Sequence, residues 1–252
     1  MDHQSKDHYY DESLGLTLRM MRIPGGTFLM GSPEDEPERR RNEGPQHKVT
    51  VSAFFMAKYP VTQAQWRVVA NLPRINLDLN PDPSQFKGDN RPVEQVNWYD
   101  AMEFCARLSA HRDQPYTLPS EAQWEYACRA GSTAPFHFGE MSSSDQANCR
   151  GTGRWGTTDV GIFPSNAFGL YDMHGNVWEW CLDYYHNSYE GAPTDGSAWL
   201  SPEKTDLRVL RGGSWHYLPR HCRSACRVLY DPSFRDNDIG LRVVSSSSRY
   251  FG

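Results

Sequence analysis

The chain has 252 residues, 23% of them charged, and a formal net charge of -5. That length buries a core without staples, and the acidic balance argues against a protein that grips nucleic-acid phosphates through a basic excess. No apolar run reaches the roughly 18 residues of a membrane-spanning helix. The 13% aromatic content, 20 Gly and 17 Pro fit a loop-rich packed domain better than a disordered chain or a long-helix bundle.

Residues 1–15 read as a flexible polar tail without the apolar centre of a signal peptide, so the cytoplasm is the default expectation. Residues 16–32 read as two short strands around the Pro24-Gly25-Gly26 turn. The charged stretch 33–45 reads as a solvated loop. Residues 49–56 alternate, with β-branched and aromatic side chains, and predict one strand. Thr62 with Gln65 and Ser120 with Gln123 are capping-box pairs that open helices. Asn97 stands where it caps a helix carrying Ala101, Cys105 and Leu108 at helical spacing. Gly131 stands where a helix C-terminal glycine belongs. Beyond it no long periodic segment follows, so nearly half of the chain is expected as loop or short strand. With no internal repeat and no obvious linker, residues 16–252 read as one domain. The six cysteines, Cys105, Cys128, Cys149, Cys181, Cys222 and Cys226, form no CxxC pair. A structural zinc site has little support, and free thiols are expected in the default compartment.

The stretches RIPGGTFLMGS (22–32), PVTQAQW (60–66), PVEQVNWYDAMEFC (92–105), LPSEAQWEYACRAG (118–131), NAFGLYDMHGNVWEW (166–180) and RVLRGGSW with the following RSACR (208–227) resemble, in order, the formylglycine-generating-enzyme (sulfatase-modifying-factor) family. The resemblance implies an α+β, C-type-lectin-like fold with little regular secondary structure. It also implies one of two kinds of function. Formylglycine-generating enzymes oxidise a substrate cysteine through copper held between two cysteines. Variable proteins of diversity-generating retroelements use the same fold to display ligand-binding side chains that are rewritten by reverse transcription. Ergothioneine-type sulfoxide synthases share the fold too, but they rely on a second, helical His-bearing domain, and no HxxxH pattern is present here.

In the enzymes the cysteine pair lies five residues apart downstream of a GGS motif. Here the motif is Gly212-Gly213-Ser214, the second cysteine position holds Cys222, and the first holds Tyr217. A phenol is a hard ligand and a poor substitute for thiolate at Cu(I). The expectation is therefore no formylglycine chemistry and no copper, with Cys222 as a small buried hydrophobe. Cys222 remains the catalytic candidate under the alternative of a metal-dependent oxidase with an altered cysteine pair.

The segment 215–242 resembles the variable repeat of the retroelement proteins. Candidate ligand-binding positions are His216, Tyr217, Leu218, His221, Cys226, Val228, Leu229, Tyr230, Asp231, Ser233, Phe234, Asp236, Asn237 and Asp238. None is Lys, Glu, Gln, Met or Trp, the types that NNC codons from diversified AAC triplets exclude. Aromatics mixed with small polar residues suit a paratope, because rigid rings give contact area at low entropy cost. Arg220, Arg223, Arg227, Arg235 and Arg242 are expected to hold the backbone by pairing with acids or carbonyls, Gly212 and Gly213 to allow a tight course, and Trp178, Trp180 and Trp215 to sit in the core. The expected ligand is a protein, bound by a monomer, with no nucleic-acid or membrane partner. The resemblance further implies structural calcium at Asp172, Gly175, Val177 and Glu179, two carboxylates and two backbone carbonyls forming a hard oxygen set.

Overall fold

The computed structural model describes residues 8–11, 18–141, 143–201 and 206–246. Strands β2 (Leu18–Ile23) and β3 (Gly26–Met30) flank the Pro24-Gly25 turn. Ahead of them, β1 (His8–Asp11) pairs antiparallel with β2. Residues 8–11 are thus part of a sheet and not a tail; the rest of the expected tail lies outside the described residues.

The single strand expected over 49–56 is two, β4 (His47–Val51) and β5 (Phe54–Ala57), which join different sheets. β4 buries only alternate side chains, Val49 and Val51, whereas β5 is buried on both faces. A half-solvated strand and a fully covered one occupy different layers, so the chain breaks at Ser52-Ala53 to pass between them.

Helices α1 (Gln63–Ala70), α2 (Trp98–Arg112) and α3 (Glu121–Arg129) begin where their caps predict. Each makes both bonds of a capping box: Thr62 with Gln65, Asn97 with Asp100, and Ser120 with Gln123. At the end of α3 the backbone turns left-handed at Ala130 and stays so at Gly131. Trp66 of α1 stacks on Phe104 of α2 with centroids 5.3 Å apart. Among the described residues no helix is long and apolar enough to cross a membrane.

The C-terminal half holds β6 (Trp178–Tyr184), β7 (Arg208–Arg211), β8 (Arg227–Tyr230), β9 (Ile239–Gly240) and β10 (Val244–Ser245). They form a sheet of order β8-β7-β6-β9, in which β6 and β9 are parallel, while β10 leaves to pair with β5. Two apolar clusters make the core. One, around Trp66, Phe104, Trp178 and Trp180, lies against α1 and α2; the other, around Phe54, Trp124 and Val209, lies against α3. The segment 212–238 runs over the first cluster between β7 and β9, interrupted by β8 and a single 3-10 turn at Pro219–His221.

The acidic stretch 33–45 is not simply solvated. Glu36 and Glu43 are buried, and a 3-10 turn at Arg41–Glu43 turns them toward the C-terminal segment.

Candidate functional site

Each of the five expected frame arginines faces an acid. Arg223 donates to Glu43 at 2.6 and 2.9 Å, to Glu36, and to the Glu38 carbonyl at 3.0 Å. Arg227 is bidentate on Glu121 at 2.6 and 2.7 Å and also donates to the carbonyls of Asn42 and His186. Arg235 is bidentate on Asp100 at 2.8 and 3.0 Å. Arg242 makes three bonds to Glu179 at 2.9 to 3.1 Å and donates to the carbonyls of Ala57 and Tyr171. Arg220, exposed, lies 3.7 Å from Glu38. From β7, Arg211 adds bonds of 2.7 Å to the carbonyls of Ala225 and Cys226 and pairs with Glu125. Guanidinium forks suit this task because they bind carboxylates bidentately and still reach carbonyls. Breaking a buried pair costs about 3–5 kcal/mol, whereas an exposed pair such as Arg220–Glu38 contributes ~0–1 kcal/mol.

On this frame, 12 of the 14 candidate ligand-binding residues reach solvent: His216, Tyr217, Leu218, His221, Val228, Leu229, Tyr230, Asp231, Ser233, Phe234, Asp236 and Asn237. Leu218, Leu229 and Phe234 are exposed apolar side chains. The aromatics brace one another. Tyr230 stacks on Phe234 at 4.6 Å, its hydroxyl lies 3.3 Å from that of Tyr217, and the Tyr217 ring meets Trp178 and His221 edge-on. Burial, reinforced by the charges of Arg40 and Arg220, lowers the His221 pKa to about 4, so this ring is neutral at pH 7.

Two candidates do not reach solvent. Cys226 is fully buried in the first core cluster, where burial pushes its thiol up to about 11. Asp238 is buried too; it accepts from the Ser214 hydroxyl at 2.7 Å, and its carbonyl accepts from the Trp178 amide. Both hold the segment in place and cannot meet a ligand. Trp215 is corrected in the opposite sense. It is half-buried and lines a surface cavity rather than the core, unlike Trp178 and Trp180.

All six cysteines are free and buried. Gly213, at φ 74°, passes so close to Cys222 that an added Cβ would collide with its sulfur and its Cα. No cysteine lies near Tyr217 in the sequence to replace the one missing there, and Cys226 is four residues beyond Cys222. The structure brings one from far upstream. Cys149 packs against Cys222 and Phe136 in a small buried cluster, with the Met141 sulfur 3.6 Å from its own. The two thiols interact directly: contact with Cys222, and then the charge of Arg154, lowers the Cys149 pKa, while that of Cys222 rises. The main-chain bond from Arg150 to the Tyr217 carbonyl, 2.8 Å, ties these segments together, and nothing in the local sequence announces it.

The four residues of the implied calcium site do not act as one donor set. Both Glu179 oxygens accept from Arg242, and Oε2 also accepts from the Trp124 indole at 2.7 Å. Asp172 accepts from the Gly161 amide at 2.7 Å through Oδ2, while Oδ1 is buried without a partner. Burial raises the Asp172 pKa to about 6. Beside the paired Glu179, the set offers one free carboxylate oxygen, on Asp172, and the carbonyls of Gly175 and Val177.

The sulfatase-modifying factor enzyme 1-like domain matches residues 11–247. The formylglycine-generating enzyme of Mycobacterium tuberculosis is 30% identical, over 91% of this chain and 98% of that protein. The chain spans 38% of the length of the first curated relatives it matches, chlamydial serine/threonine-protein kinases at 32% identity. Among solved structures, PvdO from Pseudomonas aeruginosa superposes with a TM-score of 0.85 at 37% identity, covering 97% of this chain and 99% of that one. Treponema denticola variable protein 1 superposes at 0.77 with 25% identity, covering 95% and 98%. The architecture is the formylglycine-generating-enzyme type of C-type-lectin-like fold.

Proposed function

The chain belongs to the sulfatase-modifying factor enzyme 1-like family, and on that premise we propose that it is a non-enzymatic ligand-binding member whose C-terminal face is diversified by a retroelement. One observation carries this reading. Within 215–242, 12 of the 16 residues that reach solvent are candidate variable positions, and 10 of the 12 buried ones are frame. Such a division lets side chains change without unfolding the protein. The likeness to a variable protein of the same fold supports it. Affinity would come from a few aromatic anchors, Tyr217, Tyr230 and Phe234, engaging a protein partner as a monomer in the cytoplasm, with no nucleic acid or membrane involved. The test is the DNA at the 3′ end of the gene. The expected result is a nearby near-copy of the 215–242 coding stretch that differs only at its adenines and adjoins a reverse-transcriptase gene. A genome with no such copy overturns diversification.

A second reading, a metal-dependent oxidase with an altered cysteine pair, draws on the contact of Cys149 with Cys222. Two thiolates suit Cu(I), which would supply dioxygen activation when bound. The pair is sealed from solvent, and Tyr217 offers only a hard oxygen. Titration of the reduced protein with Cu(I) decides. Stoichiometric binding that is lost in both C149S and C222S favours the oxidase. We also propose that Arg242, not calcium, balances Glu179.

A further inference from the structure

Beside the variable face, and sharing only His216 with it, lies a cavity of about 480 Å³. Its walls are Arg150, Arg154 and Trp155 on one loop, and Trp215 and His216 at the start of the C-terminal segment. The loop is fixed rather than adventitious. The Arg150 amide donates to the Tyr217 carbonyl, and Thr152 donates to the Cys149 carbonyl through both its amide and its hydroxyl. Trp155 is 87% exposed, an unusual position for an indole, whose large apolar area favours burial. Trp215, on the other lining segment, is held by its indole bond to the Asn237 carbonyl and by edge contacts with Phe86 and His216.

The charges point the same way. Among the described residues neither Arg150 nor Arg154 has a carboxylate partner, in contrast to the frame arginines. Arg154 donates to the Ser144 carbonyl and lies 5.1 Å over the Phe163 ring. Two unneutralised guanidiniums in a chain of net charge -5 make a local positive spot. Gly151 and Gly153 leave open space on the same wall.

We infer that this cavity binds a planar aromatic compound bearing an anionic group. The ring stacks against the indoles of Trp155 and Trp215, and the anion meets the guanidiniums of Arg150 and Arg154. The volume lies in the range of small-ligand sites and admits one or two fused rings. Because His216 belongs to both the cavity wall and the variable face, changes at that residue would tune the ligand. The inference does not rest on diversification.

Calorimetry on the full chain with naphthoate, naphthalenemethanol and cyclohexanecarboxylate tests it. Naphthoate should bind saturably at one site, and the neutral alcohol and the non-aromatic acid should bind about tenfold more weakly or worse. W155A and R150Q should each weaken naphthoate binding severalfold with an unchanged melting temperature, since both side chains are exposed. Unsaturable binding, equal binding of the three compounds, or naphthoate binding that survives W155A overturns the inference.

Discussion

The arginines of residues 215–242 and the side chains between them share one stretch of backbone but obey different rules. Arg223, Arg227 and Arg242 are buried, and each makes at least four hydrogen bonds to acids and carbonyls drawn from distant parts of the chain. Leu229, Asp231, Ser233 and Phe234, in the same segment, project into solvent. The contrast shows how a surface without long elements is held still. Its order comes from ion pairs beneath it, so its outer chemistry is free to vary.

The largest expected effect breaks the frame. R227L removes the bidentate partner of buried Glu121, leaving it Arg211 at 3.6 Å and the Tyr189 hydroxyl, and should cost about 3–5 kcal/mol, lowering the melting temperature by about 10 °C. R220Q, at an exposed pair, should change it by less than about 2 °C. Equal effects in thermal denaturation would abolish the distinction between buried and exposed arginines.

A second effect concerns Glu94, buried beneath the face near Asp238. Burial raises its pKa to about 7 from the ordinary 4.5. Below pH 4.5 the folded and unfolded chains both hold this proton. Between 4.5 and about 7 the folded chain keeps a proton that the unfolded chain has released, so stability falls as pH rises through that window. E94Q should flatten this decline by about 1–2 kcal/mol, measured as denaturant midpoints from pH 5 to pH 8. An unchanged slope would place the titration elsewhere.

Smaller still is the expected cost of altering the face. L229S combined with F234S should change stability by no more than ~1 kcal/mol while removing much of the partner affinity. A large loss of stability would make these residues structural. The smallest effect is that of chelation: with Arg242 already on Glu179, EGTA should leave the melting temperature within about 1 °C. A clear fall would restore calcium at Asp172.

What could be read from the sequence was whatever chemistry acts over a few residues. Thr62 and Ser120 announce their helices because a cap and its partner lie three positions apart, and Asn97 does so because Ala101, Cys105 and Leu108 follow at helical spacing. The alternation within 49–56 was readable, but not the break at Ser52-Ala53, because different layers cover its two halves. The arginine frame and its pairing with acids were expected, but which acids were not. Glu36 and Glu43 sat in what reads as a solvated charge run, and only the fold shows them buried on Arg223. The exposed positions of the face followed from separating frame from variable residues. Cys226 and Asp238 escaped that logic, since their codon class says nothing of which way a side chain turns. Cys149 beside Cys222, and Trp155 and Trp215 around one cavity, were hidden for a simpler reason: each pairing joins segments that meet only in three dimensions.

The parallel pairing of Trp178 with Ile239 and of Glu179 with Gly240 has a consequence for how this surface can grow. It fixes the far end of the segment independently of what precedes it, while Trp98 and Gln95 amides grip the Pro232 and Asp236 carbonyls nearer the tip. The stretch around Ser233 and Phe234 is therefore a span between two moorings. Extra residues inserted there add only loop-closure entropy, roughly 0.6 kcal/mol for each doubling of length. The site can thus be enlarged by lengthening as well as by substitution, with the strand register unchanged.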